Sequence, residues 1–111
     1  QNYGIGTMSA EIGSTINELE TFARDHGSEF PCVPKAIDVT VLLSLPSKDK
    51  FVWPYDCKVY YLGDTHSYEL WVPINHGHGC DDDPETADNY LCYSSRSNVI
   101  MMSRTAPPLP E

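Results

Sequence analysis

The stretch NHGHGCDDDPE, residues 75–85, holds the densest set of side chains that could do chemistry. His76, His78 and Cys80 are of types that ligate zinc, and the acids that follow could add a carboxylate. The glycines between the histidines oppose a metal site, because a flexible loop orients ligands poorly. We therefore expect no metal and no other cofactor, but a solvated acidic loop that Cys80 staples to the body of the protein.

Acid–base catalysis is the second chemistry that these residues suggest. Glu69 precedes the loop and could act as a general base, with His66, His76 or His78 as the acid. An extended chain from Glu69 to His76 would span up to about 23 Å, so a shared site would require the loop to fold back. This arrangement is the alternative to a non-catalytic role.

The elements that must position these groups begin with a helix over about residues 9–25. Ser9 suits the N-cap, and Gly27 suits the C-cap with His26 beside the negative end of the helix. Apolar residues recur at steps of three and four and predict one buried stripe: Ile12, Ile16, Leu19, Phe22 and Ala23.

The rest of the chain has the alternation of strands and two hairpin turn signals, GDTH (63–66) before SYELWVPI and SSRS (94–97) before NVIMMS. Four or five antiparallel strands are predicted between about residues 36 and 103: AIDVTVLL (36–43), KVYYL (58–62), SYELWVPI (67–74), NYLCY (89–93) and NVIMMS (98–103). The fold class is therefore α+β, with one helix packed on an antiparallel sheet in a single domain, residues 1–111. A proline-rich tail, residues 106–111, follows the sheet.

The strand SYELWVPI has the clearest alternation. Its apolar set, Tyr68, Leu70, Val72 and Ile74, should face the helix. Glu69, Trp71 and Pro73 then point to the opposite face. This face is either solvated or part of a binding cleft. Trp71, Trp53 and Tyr55 are candidate interface anchors, although core packing is the alternative for each.

Four cysteines in a short chain favour two disulfides and an oxidising compartment. No two of them have the close spacing of zinc ligands: Cys32, Cys57, Cys80 and Cys92. The predicted hairpin places Cys57 and Cys80 at the same end of the sheet. We therefore favour the pair Cys57–Cys80 and, with it, Cys32–Cys92.

Charge and hydropathy exclude some partners. A net charge of −9 opposes tight binding to phosphate backbones, so RNA binding is expected to be weak. No apolar run approaches the ~20 residues of a membrane span, so no membrane partner is expected. A chain that starts at Gln1 fits either a mature secreted protein after signal cleavage or a chain that was trimmed, and we expect a monomer.

Several segments resemble, in order, those of the microbial guanyl-specific ribonucleases and the related fungal ribotoxins. The similar segments are NYGIGT (2–7, their first strand and turn), EFPCVP (29–34), SYELWVPI (67–74) and ADNYLCYSSRSNVIMMSRTA (87–106, their closing hairpin). The resemblance covers about two thirds of the chain and implies a helix on a sheet whose other face carries the active site.

The catalytic residues of that family are missing at the matching positions. Phe30 and Cys32 replace a tyrosine and a histidine, and Trp71 takes the place of the catalytic carboxylate, with Glu69 two residues earlier. Asn89 replaces the phosphate-binding arginine, and Ser103 or Arg104 the terminal histidine. The resemblance therefore implies that this chain is a pseudoenzyme.

This combination resembles the secreted ribonuclease-like effectors of plant-pathogenic fungi. It implies a virulence role outside the fungal cell, delivery into host cells in some cases, and binding of a host protein or, weakly, RNA. Two alternatives stay open. One is an active endoribonuclease with relocated acid and base. The other is a different small secreted domain, such as an inhibitor, that binds through the loop 75–85.

Overall fold

The structure, a computed structural model, describes residues 5–39, 58–75, 79–80 and 83–110. The helix α1 (Ile5–Asp25) is followed by β1 (Val33–Asp38), β2 (Tyr60–Gly63), β3 (Tyr68–Asn75), β4 (Gly79–Cys80), β5 (Asn89–Ser94) and β6 (Val99–Ser103). One helix and an antiparallel sheet confirm the predicted α+β class.

The sheet has the strand order β1-β2-β3-β5-β6, and every neighbouring pair is antiparallel. The strand β4 was not predicted, because glycines alternate with histidines there. It pairs only with the end of β3, Cys80 opposite Ile74 and Gly79 opposite Asn75. Since β2 pairs with β3 no further than Trp71, this end of β3 leaves backbone groups that β4 satisfies.

The helix begins four residues earlier than predicted, at Ile5, so Ser9 lies inside it and the predicted N-cap is wrong. Gly6 lowers the local helix propensity, which is why the sequence favoured a later start. The segment 5–7, which resembles part of a first strand and turn in the ribonucleases, is helical instead.

The end of the helix is as predicted. Gly27 has a φ of +70°, and Ser28 donates its backbone N–H to the carbonyl oxygen of Ala23 at 2.7 Å, which is the Schellman pattern. His26 donates Nδ1–H to the carbonyl oxygen of Phe22 at 2.7 Å, and its ring stacks on that of Phe22. Because a carbonyl only accepts, this contact fixes the donor nitrogen.

The core lies between α1 and one face of the sheet. Ile12 and Leu19 of α1 are fully buried and pack in one cluster with the strand residues Tyr61, Tyr68, Leu70, Val72, Ile74, Leu91 and Tyr93. The predicted stripe of α1 and the predicted inward set of β3 are therefore confirmed. No helix in the described part of the chain has the length and apolar character needed to cross a membrane.

The first strand starts at Val33, earlier than the predicted residue 36, and its register shifts between Val33 and Ile37. The strand was predicted to continue to residue 43, but residues 40–43 lie outside the described residues. The proline-rich tail returns to this strand: Pro107 is buried, and the carbonyl oxygen of Pro108 accepts the N–H of Ala36 at 2.7 Å.

Candidate functional site

The sheet surface opposite α1, called the open face below, is the candidate site. Side chains of paired residues point to the same side of an antiparallel sheet. The cross-strand pairs therefore assign to the open face several residues that are half-buried or exposed: Asp38, Tyr60, Leu62, Glu69, Trp71, Cys92, Ser94, Val99 and Met101. One row crosses four strands in register: Tyr60, Trp71, Cys92 and Met101.

The centre of the open face is a bonded pair. The indole N–H of Trp71 donates to Oε1 of Glu69 at 3.1 Å, and the indole ring meets the ring of Tyr90 edge-on with centroids 6.0 Å apart. Both Glu69 and Trp71 point away from the helix, as predicted. Two contacts therefore hold a large aromatic side chain in place on a partly exposed surface.

The open face ends at Pro73. This residue lies on the predicted side of the sheet but is buried, as is its cross-strand neighbour Tyr90. Tyr90 donates its hydroxyl to the carbonyl oxygen of Pro84, and Asp88 donates its backbone N–H to the carbonyl oxygen of Ile74. The loop before β5 therefore covers this end, and the exposed surface lies between Trp71 and β6.

Acid–base chemistry finds little support in the described residues. Of the two histidines there, His26 contacts the helix end, and His66 lies in the turn after β2. Neither is bonded to Glu69. His76 and His78, the other candidate acids, lie outside the described residues. Within those residues, no group of three histidines, cysteines or acids could hold a metal ion.

Two of the predicted site positions do not reach the open face. Asn89 pairs with Ile74 and shares its side of β5 with Leu91, so it lies on the helix side, and the expectation that it accompanies Trp71 is wrong. Phe30 packs its ring edge-on against Tyr68, 4.8 Å between centroids, and also belongs to the helix side. A position-by-position match to the ribonuclease site therefore fails at both residues.

The other predicted positions are scattered. Cys32 is exposed just before β1, and Arg104 is exposed just after β6. Of the six positions, the structure thus bonds Glu69 to Trp71 and places Cys32 with Glu69 along one cleft. Trp53 and Tyr55, the other proposed anchors, lie outside the described residues.

Cys92 occupies the middle of the open face, next to Trp71 and Met101 in the same row. Burial, followed by the negative charge of Glu69, raises the pKa of the Cys92 thiol to about 11. A thiol with this pKa stays protonated at neutral pH, so we assign it no nucleophilic role.

The predicted disulfide Cys32–Cys92 is wrong. The two cysteines are not bonded to each other, and three strand spacings, about 14 Å, separate β1 from β5. A disulfide requires Cα atoms within about 7 Å. Cys57 and the side chain of Cys80 lie outside the part of the chain that the structure describes, so the pair Cys57–Cys80 stays a prediction.

Peptide mapping of the native protein under non-reducing conditions should therefore yield no peptide that links Cys32 to Cys92. Any bond that either cysteine forms within one chain must go to Cys57 or Cys80, because the sheet keeps Cys32 and Cys92 apart. Finding Cys32 linked to Cys92 in freshly purified monomer would contradict the strand order described above.

Sequence reasoning missed a concave feature at the end of the sheet. Two turns and the start of β1 enclose a cleft of about 430 Å³, lined in part by Cys32, Asp64, Ser67, Glu69 and Arg96. Both turns were predicted, from GDTH and SSRS, but their contact depends on long-range register that the sequence does not display.

Hydrogen bonds between the two turns hold this cleft together. Tyr68 donates its N–H to Oγ of Ser95 at 2.9 Å, and Ser95 returns its N–H to the carbonyl oxygen of Tyr68 at 3.0 Å. Arg96 donates Nε–H to Oγ of Ser67 at 3.1 Å. The N–H groups of His66 and Ser67 lower the pKa of Asp64, and the charge of Arg96 contributes. Because these hydrogen bonds join the two turns, the polar side chains that form them have a structural role.

Comparison of the chain with known protein families, curated protein sequences and solved structures finds no match.

Proposed function

We propose that this protein is a secreted, non-catalytic binding module that recognises a protein partner through the open face. One observation carries the proposal: the indole of Trp71, which contacts Glu69 and Tyr90, lies in a row with Met101, which is 63% exposed. Rigid aromatic and methionine side chains are enriched at protein interfaces. Such a surface supports docking of another protein.

The charge of the open face supports a protein rather than a nucleic acid as the partner. Among the described residues that the cross-strand pairs assign to this face, Asp38 and Glu69 carry carboxyl groups and none is a lysine or an arginine. Nucleic-acid binding draws most of its affinity from basic side chains on phosphates. The chain as a whole has a net charge of −9, which adds to this repulsion.

The contacts of Glu69 argue against a ribonuclease. RNA cleavage of this kind needs a general base with a free lone pair directed at the substrate proton. It also needs a general acid within reach of the leaving group. In the described residues one carboxylate oxygen of Glu69 accepts the Trp71 indole N–H, and no histidine is bonded to this carboxylate. This arrangement favours a structural role for Glu69, in which it orients the indole.

The resemblance to ribonuclease-like effectors supplies the biological setting of the proposal. The order of a helix followed by an antiparallel sheet supports it. The helical segment 5–7 and the helix-side positions of Phe30 and Asn89 count against a close match. Secretion by a plant-pathogenic fungus and a host protein as partner are therefore parts of the proposal that rest on the resemblance alone.

An RNA-cleavage assay tests the proposal against its enzymatic alternative. Wild type, Glu69→Gln and the matched control Glu85→Gln, in an exposed loop, are incubated with structured and single-stranded RNA. We expect no cleavage above buffer for all three proteins. Cleavage by wild type and by Glu85→Gln that Glu69→Gln abolishes would overturn the proposal.

A further inference from the structure

The strand β6 ends the sheet with an unprotected edge. In the described part of the chain no strand pairs with its outer side. Natural edge strands are usually protected by charged residues, prolines or bulges. The sequence of β6, VIMMS, has no charge and no proline, and Val99, Met101 and Met102 are 49%, 63% and 50% exposed.

The opposite edge of the sheet, at β1, is partly covered by the C-terminal tail. The tail crosses to β1, where Pro108 accepts the Ala36 N–H, and Pro107 is buried. Within the described residues, one edge is thus partly capped by the chain itself while the other is left exposed and apolar. The free edge of β6 is therefore the one at which an additional strand would fit.

The charged residues around β6 indicate which charge an added strand would carry. Residues 89–110 contain two arginines, Arg96 and Arg104, and no aspartate or glutamate, in a chain of net charge −9. Both arginines are exposed, one in the turn before β6 and one directly after it. The charge of Arg96 already interacts with the carboxyl group of Asp64 and helps to lower its pKa. We therefore expect Arg104 to contribute more to the recognition of an anion.

We propose that β6 binds an extended segment of a partner protein as an added strand, and that this segment has alternating apolar residues with acidic residues at its ends. The backbone of β6 would supply hydrogen bonds, and alternate side chains would extend the row of Met101, Cys92 and Trp71. Carboxylates at the ends would meet Arg96 and Arg104. The inference rests on the proposed function, because it describes how the same partner is recognised.

A second copy of the chain fits this edge less well. Antiparallel pairing about Met101 would bring Arg104 of each copy to the end of β6 where the other copy has Arg96. In that register Arg104 lies diagonal to Arg96, within reach of long side chains, and the like charges destabilise the pairing. Two chains of net charge −9 also repel each other over longer distances.

The probe is a synthetic peptide in which valine and threonine alternate, with aspartates at both ends; the control peptide has lysines at both ends. Binding is followed by fluorescence anisotropy at low ionic strength, and hydrogen exchange identifies the backbone amides that become protected. We expect the aspartate peptide to bind about tenfold or more tightly than the lysine peptide, since like charges disfavour association. New amide protection should appear in β6.

Two variants and one control sharpen the test. Arg104→Glu should reverse the preference between the two peptides. Met101→Lys should weaken binding of the aspartate peptide by about tenfold, because a charged residue on an edge strand opposes pairing with another strand. Asn17→Lys, on the exposed side of α1, adds the same charge away from the sheet and should leave binding unchanged. Thermal unfolding of each variant checks that it folds.

Three results would overturn the inference: no binding of the aspartate peptide, protection outside β6, or dimers of the free protein with β6 protected. The last would assign the edge to a second copy. None of these results depends on RNA cleavage, so they are distinguishable from a failure of the proposed function.

Discussion

Replacement of Leu19 by alanine should lower the free energy of unfolding by about 2–5 kcal/mol. Leu19 has no exposed surface and packs in the cluster that joins α1 to the sheet. The shorter side chain loses its transfer free energy and leaves a cavity that neighbouring aromatic rings fill only in part. Urea unfolding followed by circular dichroism measures the change.

Asn17→Ala is the control for this prediction, because Asn17 is exposed on the same helix and should change the stability by less than about 0.5 kcal/mol. Equal small effects of the two substitutions would mean that α1 does not pack on the sheet through Leu19, and the open face would then be wrongly assigned.

Gly63→Ala should destabilise the protein by about 1–3 kcal/mol or more. A Cβ atom at this position would lie 2.6 Å from the carbonyl oxygen of Ser67 and 2.7 Å from Cα and Cβ of Tyr68. Two of these atoms belong to the backbone, so the β2–β3 hairpin must shift. Urea unfolding of the variant measures the loss.

Gly13→Ala is the matched control with the opposite sign. A Cβ at Gly13, inside α1, meets no atom within 4 Å, and alanine favours a helix over glycine by about 1 kcal/mol. We expect this variant to be more stable than wild type. Stabilisation by both substitutions would show that β2 and β3 do not approach each other as closely as described at Gly63.

The parts of the fold that sequence predicts well are those with strong local periodicity. The stripe of α1 and the alternation of β3 each depend on side chains a few residues apart, and both are confirmed by burial. The hairpin β5–β6 was predicted from its turn sequence, and in the structure Asn98 of this turn adopts a φ of +57°. Such signals are local, so one sequence suffices to detect them.

The misses arise where distant segments decide the outcome. The strand β4 pairs with the part of β3 that extends past β2, and the tail is joined to β1 by a hydrogen bond to Ala36. Asn89 was assigned to the wrong face because the assignment followed a family pattern and not the register of β5 against β3. A shift of one residue exchanges the two faces of a strand, so a weak alignment cannot fix them.

The candidate site was predicted in part for the same reason. Glu69 and Trp71 are two residues apart on one strand, so their shared face follows from alternation alone. Their alignment with Cys92 and Met101, and the open edge of β6, depend on cross-strand register. No local signal in the sequence contains that information.

The open face is the proposed docking surface, and a crosslinking experiment tests this most directly. A photo-crosslinking amino acid is placed at Trp71 in one protein and at Asn17, on the exposed side of α1, in another, and each is irradiated in plant cell extract. We predict that the protein labelled at position 71 captures a distinct protein that the protein labelled at position 17 does not. Capture from position 17 alone, or crosslinks to RNA rather than protein from position 71, would contradict the account.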